Sequence, residues 1–336
     1  MKKKIVILAL LAIIYISVKP AHAAGTASGI PIISTATATY DVGPTIGLTA
    51  TASSSIIVDN KVNVTVTKNA DVTVTPGATD QRLVFLLTNT GNTTQRYALS
   101  VANGAGIVMN NVRIYRDNGV NPNTWDLSDT LYVNAGTFGD VAADGTLNLL
   151  IVADTPGTAS DGQTSDYSLV ATTVDAGTTT VTAPTVGANT AGVDVVFADI
   201  AGSASGDGTR DGKHSSSGKY TVSSVSVTIA KAVIVYSDPF NGTVNPKAKQ
   251  GAILRYSITV TATGSQTALN VVITDPIPTN TTYSAGTLKL NGVALTDAAD
   301  ADVGQVVGVP VTLTVNLGNL TSASAVQTIT FDVTII

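Results

Sequence analysis

The sequence predicts an all-β protein: two β-sandwich domains preceded by an N-terminal β-hairpin segment. Valine and threonine are abundant, and β-branched side chains suit a pleated sheet surface. All 23 acidic residues are aspartate, which favours turns, and there is no glutamate, which favours helices. A third observation is a repeated phrase: an apolar strand, a Thr/Gly turn and a second apolar strand occur around Gly91 and again around Gly264.

The repeat indicates two related domains rather than one large fold. Counted back from the two glycines, the apolar positions of the first copy align with those of the second: Leu83, Phe85 and Leu87 with Tyr256, Ile258 and Val260. The second strand of each phrase covers residues 97–101 and 269–273.

Strand patterns place the first sandwich at residues 60–230 and the second at 231–336. In the second, apolar and polar residues alternate through 254–261, 311–316 and 329–335, and Asn291-Gly292 is a strong hairpin signal. Strands with one apolar and one polar face at this spacing predict a sandwich of immunoglobulin type. In the first, a Gly/Ser-rich stretch at 201–218 interrupts the strand pattern.

Residues 24–59 form a separate segment. Small and apolar residues alternate up to Tyr40, a Val42-Gly43-Pro44 turn follows, and a second run leads to Val58. Such a hairpin buries little area and is marginal alone, so we predict that it donates a strand to a neighbouring subunit. The side chains expected to fit the neighbour are Ile30, Ile32, Ala36, Ala38 and Tyr40. The alternative is that the segment pairs within its own domain.

The first 23 residues predict a secretory signal peptide. Lys2 to Lys4 precede the apolar run 5–18, and Ala21-His22-Ala23 is a small-residue cleavage site. Cleavage leaves 14 basic residues against 23 aspartates, a net charge of −9, which argues against nucleic acid or anionic lipid as a partner. Without cysteine, the chain has no lipoprotein attachment site and no disulfide. We expect an extracellular, cell-surface protein that is not inserted in the membrane after cleavage.

Three phrases of the second sandwich carry a family resemblance. They are Tyr256-Ser257-Ile258-Thr259-Val260 with the following Thr261-Ala262-Thr263-Gly264, the run from Val271 to Pro278, and Tyr283-Ser284-Ala285-Gly286. In these phrases residues 231–336 resemble the surface-protein repeat known as domain of unknown function eleven. The family usually has Asn at the position of Ala262. The first sandwich keeps that turn as Thr88-Asn89-Thr90-Gly91 but lacks the Asp-x-Ile-Pro phrase. The resemblance implies an immunoglobulin-like module with an extracellular structural or adhesive role.

Candidate catalytic residues are few. After signal cleavage His214 is the one histidine of the sequence, and there is neither cysteine nor glutamate. His214 stands in the Gly/Ser-rich stretch with no nucleophile-elbow sequence beside it. We expect a protein that is not an enzyme.

Calcium is the one cofactor that the sequence suggests. Asp207, Thr209 and Asp211 occupy positions 1, 3 and 5 of an EF-hand-like loop with glycine at position 6, and Asp199 could add a ligand. Gly218 replaces the bidentate acid at position 12, so the alternative is a loop in which Asp and Gly serve turns. A second acidic cluster at Asp297, Asp300 and Asp302 is interpreted as a solvated loop.

Two functions remain open from the sequence. The first is a subunit of an extracellular filament or matrix assembled by strand exchange, whose partner is itself. The second is a cell-surface adhesin or sugar-binding module that contacts other surface proteins, with Trp125 as a candidate stacking platform.

Overall fold

The computed structural model describes residues 25–336, so the predicted signal peptide at 1–23 lies outside the described residues. The described part contains 22 strands and no helix. It accordingly has no helix long and apolar enough to cross a membrane. The prediction of an all-β chain with a hairpin and two sandwiches is confirmed.

The hairpin consists of two long antiparallel strands: β1 (Pro31–Val42) and β2 (Thr45–Ile57). The connecting residues are Gly43 and Pro44. Gly43 has a φ of 54°, the left-handed conformation that a tight hairpin connection needs and that glycine adopts without a steric penalty.

The first sandwich contains eleven strands: β3 (Asn60–Val62), β4 (Val64–Lys68), β5 (Val72–Val74), β6 (Gln81–Asn89), β7 (Arg96–Gly106), β8 (Asn110–Arg116), β9 (Thr130–Leu131), β10 (Thr146–Asp154), β11 (Thr164–Val174), β12 (Val195–Phe197) and β13 (Lys213–Val222). One sheet has the order β4-β6-β10-β8-β9 and the other β5-β13-β11-β7, while β3 and β12 form a small parallel pair. This distribution of strands between two sheets is that of an immunoglobulin-type sandwich.

The repeated phrase lies at the centre of this sandwich. Leu83, Phe85 and Leu87 project from β6 into the core and are essentially inaccessible to solvent. At the end of the strand, the amide of buried Asn89 donates to the carbonyl oxygens of Thr93 and Val141 at 2.9 Å and to that of Ala142 at 3.1 Å. Asn89 thereby fixes the turn that leads from β6 into β7.

The Gly/Ser-rich stretch is only partly a loop. Its last residues, from Lys213 onward, belong to β13, which pairs with β11 on one side and β5 on the other. Within β13, a side chain at Gly218 would press against the tip of Leu83 at about 3.0 Å. The glycine that looks like a linker residue therefore lets the opposite sheet approach closely.

The junction between the sandwiches is short. β13 ends at Val222, and the next strand, β14 (Val225–Ser237), belongs wholly to the second sandwich. The predicted boundary between residues 230 and 231 therefore falls inside β14, and Ser223 and Ser224 form the linker.

Asp161 of the first sandwich fastens this junction. Its carboxylate accepts hydrogen bonds from the Ser265 hydroxyl at 2.6 Å and from the Ser224 amide at 2.7 Å. These bonds, the one from Ser265 first, hold the pKa of Asp161 below its ordinary value.

The second sandwich begins with β14 and continues through eight further strands: β15 (Ile253–Gly264), β16 (Ala268–Pro276), β17 (Thr281–Tyr283), β18 (Lys289–Leu290), β19 (Val293–Ala294), β20 (Gly304–Val307), β21 (Thr312–Leu320) and β22 (Gln327–Ile335). Its larger sheet has the order β14-β15-β22-β18-β19, with β17 also on β22, and its smaller sheet has the order β16-β21-β20. Ile258 and Val260 of β15 are buried in the core, and Tyr256 stacks on Phe331 with ring centroids 5.2 Å apart.

Candidate functional site

The hairpin is the part of the described chain with the least packing. Among residues 25–336, β1 and β2 pair with each other and with no strand of either sandwich. Every residue of β1 is exposed, and so is every residue of β2 except Leu48 and Ile57, which are half-buried. The hairpin therefore stands out from the first sandwich as a free two-stranded ribbon.

The two faces of the ribbon differ in chemistry. Directly opposite residues of an antiparallel pair share a face, so the register defines both faces. One face, called here the apolar face, carries the even-numbered pairs Ile32–Ile56, Ser34–Ser54, Ala36–Ala52, Ala38–Ala50 and Tyr40–Leu48. The other, the polar face, carries the pairs Pro31–Ile57, Ile33–Ser55, Thr35–Ser53, Thr37–Thr51 and Thr39–Thr49.

A buried asparagine ties the base of the hairpin to the first sandwich. Buried Asn92, in the turn after β6, donates from its amide nitrogen to the carbonyl oxygens of Thr26 at 3.1 Å and Asp59 at 2.8 Å. Its amide oxygen accepts from the Lys61 backbone at 2.8 Å. Asn92 thus holds both ends of the hairpin while the ribbon beyond is free.

The predicted donor residues share a face. Ile32, Ala36, Ala38 and Tyr40 all lie on the apolar face, and Ile30 precedes β1, where its carbonyl accepts from the Val58 amide at 3.0 Å. The alternative was that the segment pairs with its own sandwich. In the described residues it does not. That Ile30 to Tyr40 bind a neighbour stays a prediction.

Sequence reasoning missed the second half of this face. Ala50, Ala52 and Ile56 of β2 contribute as much to it as the residues of β1. The two-residue connection at Gly43-Pro44 does not predict this register, because a bulge between Tyr40 and Val42 shifts the pairing by one residue.

The predicted calcium ligands occupy one loop region without forming a common cage. Both carboxylate oxygens of Asp199 accept backbone N–H groups at 3.0 Å, from Asp211 and Gly212. Asp211 accepts from Gly208 and Lys213, also at 3.0 Å. Across residues 25–336, no three acidic, histidine or cysteine side chains lie close enough together to hold a metal ion. Aspartate here serves the loop backbone, and calcium binding stays a prediction.

Asp207 differs from its neighbours. Its side chain is 8% exposed, and neither carboxylate oxygen has a hydrogen-bond partner in the described part of the chain. It lies against Gly202, where a side chain would collide with it, and Thr209 nearby is exposed. A buried carboxylate without a partner costs stability.

Replacing Asp207 with asparagine is therefore expected to raise the free energy of unfolding of the first sandwich by about 1–3 kcal/mol in chelator. The measurement is urea denaturation in EDTA, with Asp199→Asn as the control that should lower stability because it removes an acceptor from the Asp211 or Gly212 amide. If calcium is the missing partner, millimolar calcium raises the Tm of the unsubstituted chain and the gain disappears in Asp207→Asn. An unchanged Tm would exclude calcium from this loop.

Two further candidates have packing roles in the structure. His214 lies in β13 rather than in a loop, and its Nδ1 accepts a hydrogen bond from the Val66 backbone at 3.0 Å. Trp125 packs edge-on against Tyr115 with ring centroids 5.8 Å apart. In the acidic cluster at 297–302, Asp302 accepts from the Thr296 and Gly304 amides of its own loop at 2.7 and 2.8 Å. Asp297 instead accepts from the Tyr283 hydroxyl and the Gly286 amide, both at 2.7 Å.

No protein-family model and no curated protein matches the chain. Among solved structures, it is similar to a protein of Corynebacterium diphtheriae described as membrane anchored, at 12% identity and a TM-score of 0.21; the match covers 89% of this chain and 60% of that one. It is also similar to the collagen binding domain of the Erysipelothrix rhusiopathiae surface protein RspB, at 12% identity and a TM-score of 0.22, with 81% of each chain covered. A chaperone–tip adhesin complex of CFA/I fimbriae matches at 11% identity and a TM-score of 0.21, over 80% of this chain and 77% of that one.

These similarities are too low to assign a family or a function. The chain spans 60% of the length of the Corynebacterium protein, which is the longer of the two. The resemblance of residues 231–336 to domain of unknown function eleven stays a prediction.

Proposed function

We propose that this chain is an extracellular, non-catalytic structural subunit that assembles with copies of itself through its N-terminal hairpin. The observation that supports the proposal most strongly is the uncovered apolar face of that hairpin. A lone two-stranded ribbon is marginally stable in water, so a ribbon of this length calls for a partner that covers it.

The apolar face is large enough to contribute substantially to a contact. Its five residue pairs run from Ile32 to Tyr40, about 26 Å at about 3.3 Å per residue and about 10 Å wide, or about 260 Å², with one Ser–Ser pair among them. At about 25 cal/mol per Å², its burial contributes at most about 6 kcal/mol before the costs of association. Exposed apolar patches of a few hundred Å² are often interaction sites.

Charge supports the same proposal. The mature chain carries a net charge of −9, which makes copies repel each other, yet residues 30–57 contain a single charged side chain, Asp41. The hairpin can thus enter a contact with little charge to desolvate. His214 and the aspartates described above, with the exception of Asp207, are engaged in hydrogen bonds within the fold, which favours a non-catalytic role.

The proposal predicts that a charge on the apolar face abolishes self-association. Ala38→Lys would bury an ammonium group in the contact at a cost of several kcal/mol, a loss of at least about 100-fold in the association constant. Thr39→Lys places the same charge one residue away on the polar face and should leave association nearly unchanged.

Sedimentation velocity over a concentration series of the chain from residue 24 onward measures both effects. Both positions are exposed, so the Tm of each variant should stay at the unsubstituted value. Equal association of Ala38→Lys and the unsubstituted chain would contradict the proposal and favour the adhesin alternative.

A further inference from the structure

The second sandwich is open along one side. β14 is the last strand of the larger sheet and β16 the last strand of the smaller sheet, so within the described residues each pairs on one side only. The smaller sheet has only three strands, so it leaves β14, at the edge of the larger sheet, partly uncovered. An edge of this length, 13 residues, is rarely left without protection.

β14 carries apolar side chains on the core side of its sheet that are only partly covered. Its register with β15 sets Val227, Ile229 and Val233 opposite Ala262, Val260 and Tyr256, on the face that forms the core. Yet Val227 is 40% exposed, Ile229 59% and Val233 50%. We call these three side chains, together with the free edge of β16, the edge groove.

One ion pair crosses the edge groove. Lys231 lies between Ile229 and Val233 on the same face, and its ammonium reaches the carboxylate of Asp275 on β16 at 2.7 Å. The ammonium also lies 4.7 Å from the centre of the Tyr256 ring. Lys231 therefore covers part of the exposed apolar surface with its stem while leaving the valine and isoleucine side chains open.

We infer that the edge groove receives the β1–β2 hairpin of a second copy of this chain. This inference rests on the proposed function and names the surface that the hairpin binds. In the contact, the hairpin lies beside β16 as an extension of the smaller sheet, and its apolar face covers Val227, Ile229 and Val233. The free main-chain groups of β16 are then available to pair with the incoming strand.

The two surfaces match in length and bring few charges into the contact. β1 has 12 residues and β14 has 13. Asp41 is the one charged residue of the hairpin strands, and Lys231, the one charged residue of β14, is already paired with Asp275. The alanines of the apolar face are small, which allows the hairpin to approach the branched side chains of β14 closely.

The positions of the two surfaces on the chain determine the kind of assembly. The hairpin is tied at Asn92, in the turn after β6, whereas the second sandwich is joined at Asp161, in the connection between β10 and β11. Hairpin and edge groove are different surfaces, so the contact is heterologous and propagates from copy to copy unless it closes into a ring.

The direct test is a charge in the edge groove with a matched control on the same strand. Ile229→Lys puts an ammonium in the groove, and Ile234→Lys puts one on the opposite face of β14 at the same exposure of 59%. In sedimentation velocity, Ile229→Lys should lose at least about 100-fold in self-association while Ile234→Lys associates like the unsubstituted chain.

Mixing two defective variants identifies the partner surface. Ala38→Lys has an intact edge groove and Ile229→Lys an intact hairpin, so each alone should be monomeric and the equimolar mixture should form a 1:1 dimer that does not elongate. If Ile229→Lys associates like the unsubstituted chain, the edge groove is not the acceptor although the hairpin proposal stands. A third outcome is that Ala38→Lys is monomeric, but neither Ile229→Lys alone nor the mixture gives the expected result. The contact is then between the hairpins of two copies. If Ala38→Lys itself associates normally, the proposed function fails.

Discussion

Replacing Phe85 with alanine is expected to lower the free energy of unfolding of the first sandwich by about 3–5 kcal/mol. Phe85 projects from the central part of β6, is 1% exposed, and contacts the core from a strand that pairs on both sides. Its removal loses the transfer free energy of the ring and leaves a cavity that two packed sheets can close only in part.

The matched control is the next residue along the strand. Leu86 points to the other face of the sheet and is 39% exposed, so Leu86→Ala should cost much less. Scanning calorimetry of the chain from residue 24 onward measures both. A similar loss for the two variants would mean that β6 does not have the register described here.

Replacing Ile258 with alanine should cost about 2–5 kcal/mol in the second sandwich. Ile258 occupies the position of the second repeat that corresponds to Phe85, and it is 1% exposed on β15 between β14 and β22. Thr259, its neighbour on the opposite face, is half-buried, and Thr259→Ala should cost far less.

The two substitutions also test whether the sandwiches unfold separately. The linker is two residues long, and the contacts seen across it centre on the hydroxyl and amide groups around Asp161. We expect Phe85→Ala to shift the transition of the first sandwich and Ile258→Ala that of the second. A single transition that shifts equally in both variants would show that the two sandwiches unfold as one unit.

The repeated phrase predicted the centre of each sandwich correctly because strict alternation over a strand leaves one register that buries the apolar side chains. The same principle explains why the domain boundary was placed inside β14. The apolar alternation of Val225, Val227 and Ile229 meets Lys231, which ends the pattern in the sequence. In the fold the strand continues, because the Lys231 ammonium forms an ion pair with Asp275 on the facing sheet.

Other features depend on contacts between residues far apart in the chain, which sequence patterns do not report. Residues 213–218 have the composition of a linker but form part of β13, where strands on both sides supply its hydrogen bonds. The loop aspartates have the spacing of calcium ligands, yet Asp199 and Asp211 accept backbone N–H groups of their own loop. The edge groove is invisible in the sequence of β14, since its exposure follows from the shorter cover of the facing sheet.

Electron microscopy of the concentrated chain from residue 24 onward tests the central claim most directly. The account predicts unbranched filaments or closed rings whose repeating unit is one subunit, formed by the unsubstituted chain and by Thr39→Lys but not by Ala38→Lys. Uniform single particles of one subunit at every concentration would contradict it.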